Sequence, residues 1–517
     1  MKRFDLFSRF AAGLLLLVLN FGFSAEAAFA ENAAAGRKVE VKGKVTDSAT
    51  GRGVAGVVVS DGVQCTLTDR CGKYSLASDP HMVRNVFVEV PSGYDIPFRA
   101  DNGLFSAYAA VDTTLRRNRI DFSLSPRKDP DAPYTMLLLG DPQVMSSRPH
   151  SGVSWEWVTK HLDEYRHGVE GDLYQILLGD MVVNEIEVPG RAEYFINTLA
   201  DSHIRTLCIP GNHDHVRHVE DHYTAIGKYS EFFGPYNYAV NIGGIHYLFF
   251  DYKPYDEGID EEAWQFIKAD LALVPEGKPV FLCTHCPLTR THGGKYPSVE
   301  APHYKELIAL LEGRDVVFWY GHIHFNSFWA YDDACLAKYA PGVKALSSNV
   351  VGRCGGSWAC SGEIGRDGSP RGVVELKVDG GRASWRYISL DPKYPDDFNL
   401  YVPGQFKGEG IADDNALYCN VYVWDEKWSL PELWVDGVCA GTFQWCREGG
   451  HDAVPDPMYS HFYPVWKAEN VKGFRDEYPR PYDNSHLFKI LPPEGVRCAE
   501  VRIRDRWGNV LSRKVEW

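Results

Sequence analysis

The chain has 517 residues, 44% hydrophobic and 13% aromatic, enough for about three domains with sizeable cores, which excludes a wholly disordered protein. Its formal net charge of -15 argues against a general nucleic-acid-binding surface, which needs basic patches. A small basic pocket for a single phosphate group is still allowed.

Residues 1–30 read as an export signal rather than as part of the fold. Lys2, Arg3 and Arg9 make a basic start, and Phe10 to Phe23 is an apolar run of fourteen residues. Ala28-Phe29-Ala30 is a small-x-small cleavage signal before Glu31. The run is shorter than the ~20 residues a spanning helix needs, and no cysteine follows it as a lipid anchor. Cleavage after Ala30 is expected, with a periplasmic, extracellular or cell-surface location. No later segment is long and apolar enough to span a membrane. Export would allow the twelve cysteines to pair, with Cys65–Cys71, Cys354–Cys360 and Cys439–Cys446 as local possibilities and no connectivity fixed. Cys283 and Cys286 bracket His285, but no second Cys-x-x-Cys completes a zinc site, so Cys283 reads as a buried thiol.

Residues 38–127 read as an all-β unit. Val39 to Val45 alternates, Val54 to Gly62 follows a Gly-rich turn, and Thr68 to Tyr74 is a turn leading into another strand. Arg127 to Pro133 is a charged, proline-bearing linker. Across residues 134–392 strands alternate with helices. Helices are expected at Trp155 to His167, Arg191 to Ser202, Asp260 to Val274 and His303 to Leu311. Asp260 is a plausible N-cap, with Glu261 and Glu262 in the first turn, where negative charge is favoured. Hairpins are expected at Tyr236 to Asp251 and at Val373 to Leu390, the second turning at Asp379-Gly380-Gly381. After Pro392 helices are expected to stop. Residues 400–517, dense in Trp, Tyr and Pro with short alternating runs, read as a β-rich third domain.

Four motifs each follow an apolar run that reads as a buried strand. They are Leu139-Gly140-Asp141-Pro142-Gln143, Gly179-Asp180, Gly211-Asn212-His213-Asp214 and Gly321-His322-Ile323-His324. His285 follows a fifth such run. Ligands at the carboxyl ends of parallel strands converge on one sheet edge. Mixed oxygen and imidazole donors suit two adjacent divalent ions drawn from Mn, Fe, Zn or Mg. Such a pair, about 3.5–4 Å apart, can bind a bridging hydroxide and clamp phosphate oxygens. Gly-Asp alone is common in turns and a lone histidine is more often a core residue, whereas Gly-Asn-His-Asp and Gly-His-Ile-His are specific.

In order and content these motifs resemble the calcineurin-like metallophosphoesterase superfamily, in the secreted bacterial form with β-rich accessory domains at both ends. The resemblance covers roughly residues 134–330 and includes Phe233-Gly234-Pro235. It implies an α/β (α+β) four-layer sandwich of two mixed sheets flanked by helices, with an N-terminal β-sandwich and a C-terminal β-rich domain. It also implies that Asp141, Gln143, Asp180 and His324 hold one metal and that Asp180, Asn212, His285 and His322 hold the other. Asp180 would bridge. His213 would face the substrate and protonate the leaving oxygen or stabilise charge on it, and Asp214 would orient His213. Arg353 and Trp358 would line the pocket with Asn212 and His213. Gln143 replaces the commoner histidine, and an amide oxygen is the weaker zinc ligand. His215, His218 and His222 read as a solvated face or short helix.

The activity implied is hydrolysis of phosphate monoesters or diesters, on a small-molecule, lipid-linked or glycan-linked substrate, by an exported enzyme. The alternative is a non-catalytic surface or glycan-binding protein with a partly decayed metal site. Oligomeric state is open.

Overall fold

The structure is a computed structural model that describes residues 38–144, 155–184, 186–252, 259–291, 297–299, 301–355, 364–406, 415–446, 456–462 and 484–517. The expected export signal, Trp358 and Cys360 lie outside the described residues.

Two mixed sheets form the centre. In the first, Arg205–Cys208, Asp172–Leu177 and Tyr134–Leu139 run parallel, and the hairpin Gly372–Asp379/Arg382–Ser389 is added antiparallel to Tyr134–Leu139. In the second, Ile245–Phe249, Val280–Cys283, Asp315–Tyr320 and Ala345–Val350 run parallel. Antiparallel strands Tyr238–Ile242 and Ser327–Ala330 close its two edges.

The strand Tyr134–Leu139 shows why apolar runs, rather than alternating ones, mark these strands. All six residues are buried. Met136 and Leu138 face the core shared with the second sheet, and Leu137 and Leu139 face the core under the helices Trp155–Arg166 and Arg191–Ala200. A strand covered on both faces reads as a nearly continuous apolar run. Helices Glu261–Leu271 and Tyr304–Leu310 cover the far face of the second sheet through Phe266, Ile267, Leu307 and Ile308. The layers are therefore helix, sheet, sheet and helix. Asp260 caps its helix, its Oδ1 accepting the Ala263 N–H at 2.8 Å. The turn between Gly372–Asp379 and Arg382–Ser389 has Gly380 and Gly381 at φ 54° and 75°, the left-handed pair that a two-residue hairpin requires.

Two four-stranded sheets lie before this body and two after it. In the strand Lys73–Ser78 exposed and buried residues alternate, the signature of a sheet covered on one face only. The N-terminal region is knitted onto the first sheet. Thr206 N–H donates to Gly103 O at 2.8 Å, and Phe105 N–H donates to Thr206 O at 3.0 Å. The Arg84 guanidinium stacks 3.7 Å above the Tyr223 ring. Beyond Pro392 the structure departs from expectation at residues 457–462, which are helical. Among the described residues no helix is long and apolar enough to cross a membrane. Cys65, Cys71, Cys439 and Cys446 are all free thiols, so neither of those two local pairs forms a disulfide in this structure.

Candidate dimetal centre

Five parallel strands deliver the candidate ligands. Three from the first sheet end at Asp141, Asp180 and Asn212, and two from the second end at His285 and His322. Hydrogen bonds link the sheets at this edge, His322 N–H donating to Asp141 Oδ2 at 3.0 Å among them. His285 Nδ1–H donates to Leu178 O at 2.6 Å.

The backbone here is unusual. Among the described residues, eleven non-glycine residues have positive φ. Asp141, Gln143, Asp180, His322 and His324 are five of them, and Asn184 is a sixth, all with φ between 45° and 72°. Left-handed residues cost free energy and gather at functional sites. Here the twist turns each side chain off the strand axis and toward a common point. The glycines before the ligands allow the approach. A Cβ on Gly179, at φ +89°, would sit 2.5 Å from His285 Nδ1, and one on Gly211 would sit 2.1 Å from Asp180 Oδ1.

The seven expected ligands come together. His324 Nε2 lies 3.3 Å from Asp141 Oδ1, and the Gln143 amide lies 3.0 Å from His324 Nε2 and 3.1 Å from Asp180 Oδ2. His285 Nε2 is 3.3 Å from Asp180 Oδ2 and 3.9 Å from Asp141 Oδ1. His322 Nδ1 is 2.9 Å from Asn212 Oδ1. Asp141, Asp180 and His285 are buried.

Two buried atoms test whether a cation fits. With Nδ1–H committed to Leu178 O, neutral His285 presents a lone pair at Nε2, and that atom makes no hydrogen bond although two carboxylates face it. Gln143 Oε1 is likewise buried without a partner. Lone pairs gathered against carboxylates repel unless positive charge lies among them. The same demand shows in the titration. Burial opposes charge on His285, but Asp180 outweighs it and pushes the imidazole up to about 10. Asp180 itself is held well below the usual carboxylate range, burial being overcome by His285 and His213. The donor set fits divalent metal ions. Cys286, the second cysteine of the Cys-x-x-Cys around His285, adds a thiol whose Sγ lies within 4.8 Å of nitrogens of both His285 and His322.

Two assignments change. Asp214 does not orient His213. Its carboxylate is buried and accepts the backbone N–H groups of Gly211 at 2.8 Å, Val182 at 3.1 Å and Met181 at 3.2 Å. His213 Nδ1–H donates instead to Asn184 Oδ1 at 2.8 Å, and Asn184 N–H donates to His213 O at 3.2 Å. This leaves His213 Nε2 facing the centre, 3.9 Å from Asp180 Oδ2, with the side chain 27% exposed. Burial pushes the His213 imidazole down, against the pull of Asp180. Arg353 is the second change. Its side chain is 4% exposed and Nη1 donates to Gly355 O at 3.0 Å. Its backbone bridges to Gly140 beside Asp141. The geometry therefore makes it a brace for the loop rather than a contact for substrate.

A buried polar network supports the His322-Ile323-His324 loop from behind. Asn326 N–H donates to Asp367 Oδ2 at 2.9 Å, and Asn326 Oδ1 accepts Gly352 N–H at 2.8 Å. His486 Nε2 lies 3.3 Å from Asp367 Oδ2, and the amides of Asn420 and Asn484 donate to Asp367 O. His222 opens the short helix His222–Ala225, one of the two expectations, but neither it nor His215 matches the other. They are not on a solvated face, because both turn inward to Asp251. His218 is exposed.

No curated protein matches the chain. Among solved structures it is similar to a purple acid phosphatase from yellow lupin, Lupinus luteus, at 16% identity and TM-score 0.38, covering 51% of this chain and 52% of that one. A second likeness is to the structure of PhoD, at 10% identity and TM-score 0.35, covering 75% and 84%. A third is to a dimetal phosphatase from Danio rerio, at 12% identity and TM-score 0.31, covering 50% and 96%. The chain thus spans about half the length of the lupin enzyme. Two family models match directly, the N-terminal region of calcineurin-like phosphoesterase over residues 39–127 and its C-terminal region over residues 349–511. With those two regions flanking the sandwich that carries Gly-Asn-His-Asp and Gly-His-Ile-His at its strand ends, the chain belongs to the calcineurin-like metallophosphoesterase superfamily.

Proposed function

We propose that this chain is a phosphoesterase that works with two divalent metal ions. Asp141, Gln143, Asp180 and His324 would hold one, and Asp180, Asn212, His285 and His322 the other. The observation that carries the proposal is the convergence of these donors around His285 Nε2, a buried atom without a hydrogen bond between two carboxylates. When bound, such ions supply Lewis acidity toward phosphate oxygens and lower the pKa of water. The chain's own part is to orient and to move a proton. His213 Nε2 faces the centre while Asn184 keeps the hydrogen on Nδ1, so Nε2 is the atom that exchanges a proton with the ester oxygen. Asn212 places its amide beside His322 where substrate oxygen would approach.

The test is metal analysis together with hydrolysis of a chromogenic phosphate ester. Asp180→Ala, which removes the only carboxylate shared by both ligand sets, is expected to lose both ions and all hydrolysis. Full metal content in that variant would remove the bridging role. A panel of phosphomonoesters, nucleotides, lipid head groups and phosphodiesters separates monoesterase from diesterase. A protein that holds no metal and hydrolyses none of them would instead be the non-catalytic surface protein.

Export with cleavage after Ala30 belongs to the same proposal, on the basic, apolar and small-residue start. So does a division into units at 38–127, 134–392 and 400–517. A mature protein whose first residue precedes residue 20 would refute the export.

A further inference from the structure

We propose that His215, His222 and Asp251 form a third metal site, a two-histidine, one-carboxylate set for a divalent first-row ion such as Mn, Fe or Zn, placed behind the Gly211–Asp214 loop. The three residues come from separate segments. His215 follows the turn Asn212–Asp214, His222 opens the short helix His222–Ala225, and Asp251 lies two residues beyond the strand Ile245–Phe249. The fold brings His215 Nε2 and His222 Nε2 each to 2.8 Å from Asp251 Oδ2. The three donor atoms lie within 4.8 Å of one another.

The far side of each ring carries the argument. His215 Nδ1 lies 2.9 Å from Gly211 O, so it bears the hydrogen. His222 Nδ1 lies 3.1 Å from Asp260 Oδ2 and 3.7 Å from Glu262 Oε2, and these carboxylates favour a proton there too. Both Nε2 atoms lie at hydrogen-bond distance from the Asp251 carboxylate, so an ion entering between them would displace the protons they share with it. A histidine whose outer nitrogen donates to a carbonyl or carboxylate while its inner nitrogen turns to a shared centre is the arrangement metal-ligating histidines adopt. Asp251 is held for the purpose. Its N–H donates to Asn237 Oδ1 at 3.0 Å, and its Oδ1 is buried without a hydrogen-bond partner. With Asp260 and Glu262 behind His222, three carboxylates surround two imidazoles, a negative surplus that a divalent cation would compensate in place of the ring protons.

The spacing also restricts geometry. Donors 2.8 Å apart subtend nearly a right angle at an ion with bonds of about 2.1 Å. That suits octahedral coordination with open positions, as in two-histidine, one-carboxylate facial sets, better than a tetrahedral zinc knuckle. Solvent reaches the cluster at His222, whose side chain is 17% exposed. Through Gly211 O the ion would brace the loop that presents Asn212 and His213, so its role is structural and it does not depend on the dimetal assignment.

The experiment counts ions. Full-length protein is loaded with manganese chloride, desalted and measured by plasma mass spectrometry, beside Asp251→Asn, His222→Gln and Asp180→Ala, each first checked for folding by circular dichroism. The expected result is three ions per chain in the parent, two in Asp251→Asn and in His222→Gln, and one in Asp180→Ala. His222→Gln, at the partly exposed position, keeps the test decisive if Asp251→Asn does not fold. An unchanged count in the folded variants at His222 and Asp251 overturns the site and makes the cluster a hydrogen-bond network with both imidazoles protonated. If Asp180→Ala keeps the parent's count while the other two lose one ion, the third site stands and the dimetal assignment falls.

Discussion

Asn184 Oδ1 receives the Nδ1 hydrogen of His213 at 2.8 Å, while the carboxylate of Asp214, next in the chain to His213, is turned away to three backbone N–H groups. A neutral amide behind the ring fixes its tautomer without adding charge. Burial can then push the imidazole down from its ordinary value.

His213→Ala is expected to lower kcat by ~100–10,000-fold, the usual cost of losing a proton-transfer group, with metal content unchanged. Asn184→Ala should cost about 10–100-fold, as loss of an orienting partner does. Asn184→Asp places a negative charge beside the ring, favours the imidazolium, and should move the alkaline limb of the pH–rate profile to higher pH. Steady-state kinetics across pH with metal analysis on each variant checks all three. If Asn184→Asp leaves the profile where it was, Asn184 does not act through His213.

The Gln143 amide sits among Asp180 and His324, but its oxygen is the atom without a partner. An amide oxygen is a harder and weaker donor toward zinc than imidazole. Activity should therefore respond well to Mn or Mg, and Gln143→His should raise zinc affinity without destroying the centre. Metal titrations of the two proteins decide the matter. Identical zinc affinity and metal preference would place Gln143 outside the coordination sphere.

Stability should fall as pH rises through neutrality. Burial pushes the Asp270 carboxyl from its ordinary 3.8 up to about 7 and the Glu89 carboxyl well above its usual range. The folded protein then keeps protons that the unfolded chain sheds, which stabilises fully below pH 3.8 and is lost as pH rises through about 7. His246, 2.8 Å from Asp270, works the other way, because burial pushes it from 6.5 down to about 4. Two carboxyls outweigh one imidazole, with Lys278 and Arg314 as the facing cations. Melting temperature should drop between pH 5 and pH 8, and Asp270→Asn should flatten the dependence. A parent melting curve that rises over this range would contradict the assignment.

Much of this was legible from sequence for a definite reason. A strand buried on both faces is apolar nearly throughout, so Tyr134–Leu139 and Asp315–Tyr320 announce themselves, and the Gly-Asp or Gly-His that follows marks the strand exit. The helix at Asp260 was readable because its cap is local, three residues from the N–H it accepts. What was hidden depends on distant partners or on backbone twist. Asn184 reaches His213 across 29 residues from a left-handed φ of 50°, which no pattern of types reveals. His215 and His222 resembled a solvated face because Asp251, which draws them inward, is 36 and 29 residues further on. Asp214 was misassigned because adjacency in sequence says nothing about which way a tight turn sends a carboxylate.

The seam at Asp367 changes what counts as a removable part of this chain. Asn326 stands two residues after His324, yet its backbone is tied to Asp367, and Asp367 is tied to Asn420, Asn484 and His486. A shortened protein ending near residue 392 would take from Asp367 its bonds to Asn420, Asn484 and His486, at a cost of about 1–3 kcal/mol for each group left buried without a partner. Exchanging the tail for that of a relative would succeed only if the partners of Asp367 at Asn420, Asn484 and His486 were kept together. Through Asp367 the last hundred-odd residues and the Gly-His-Ile-His loop form one mechanical unit.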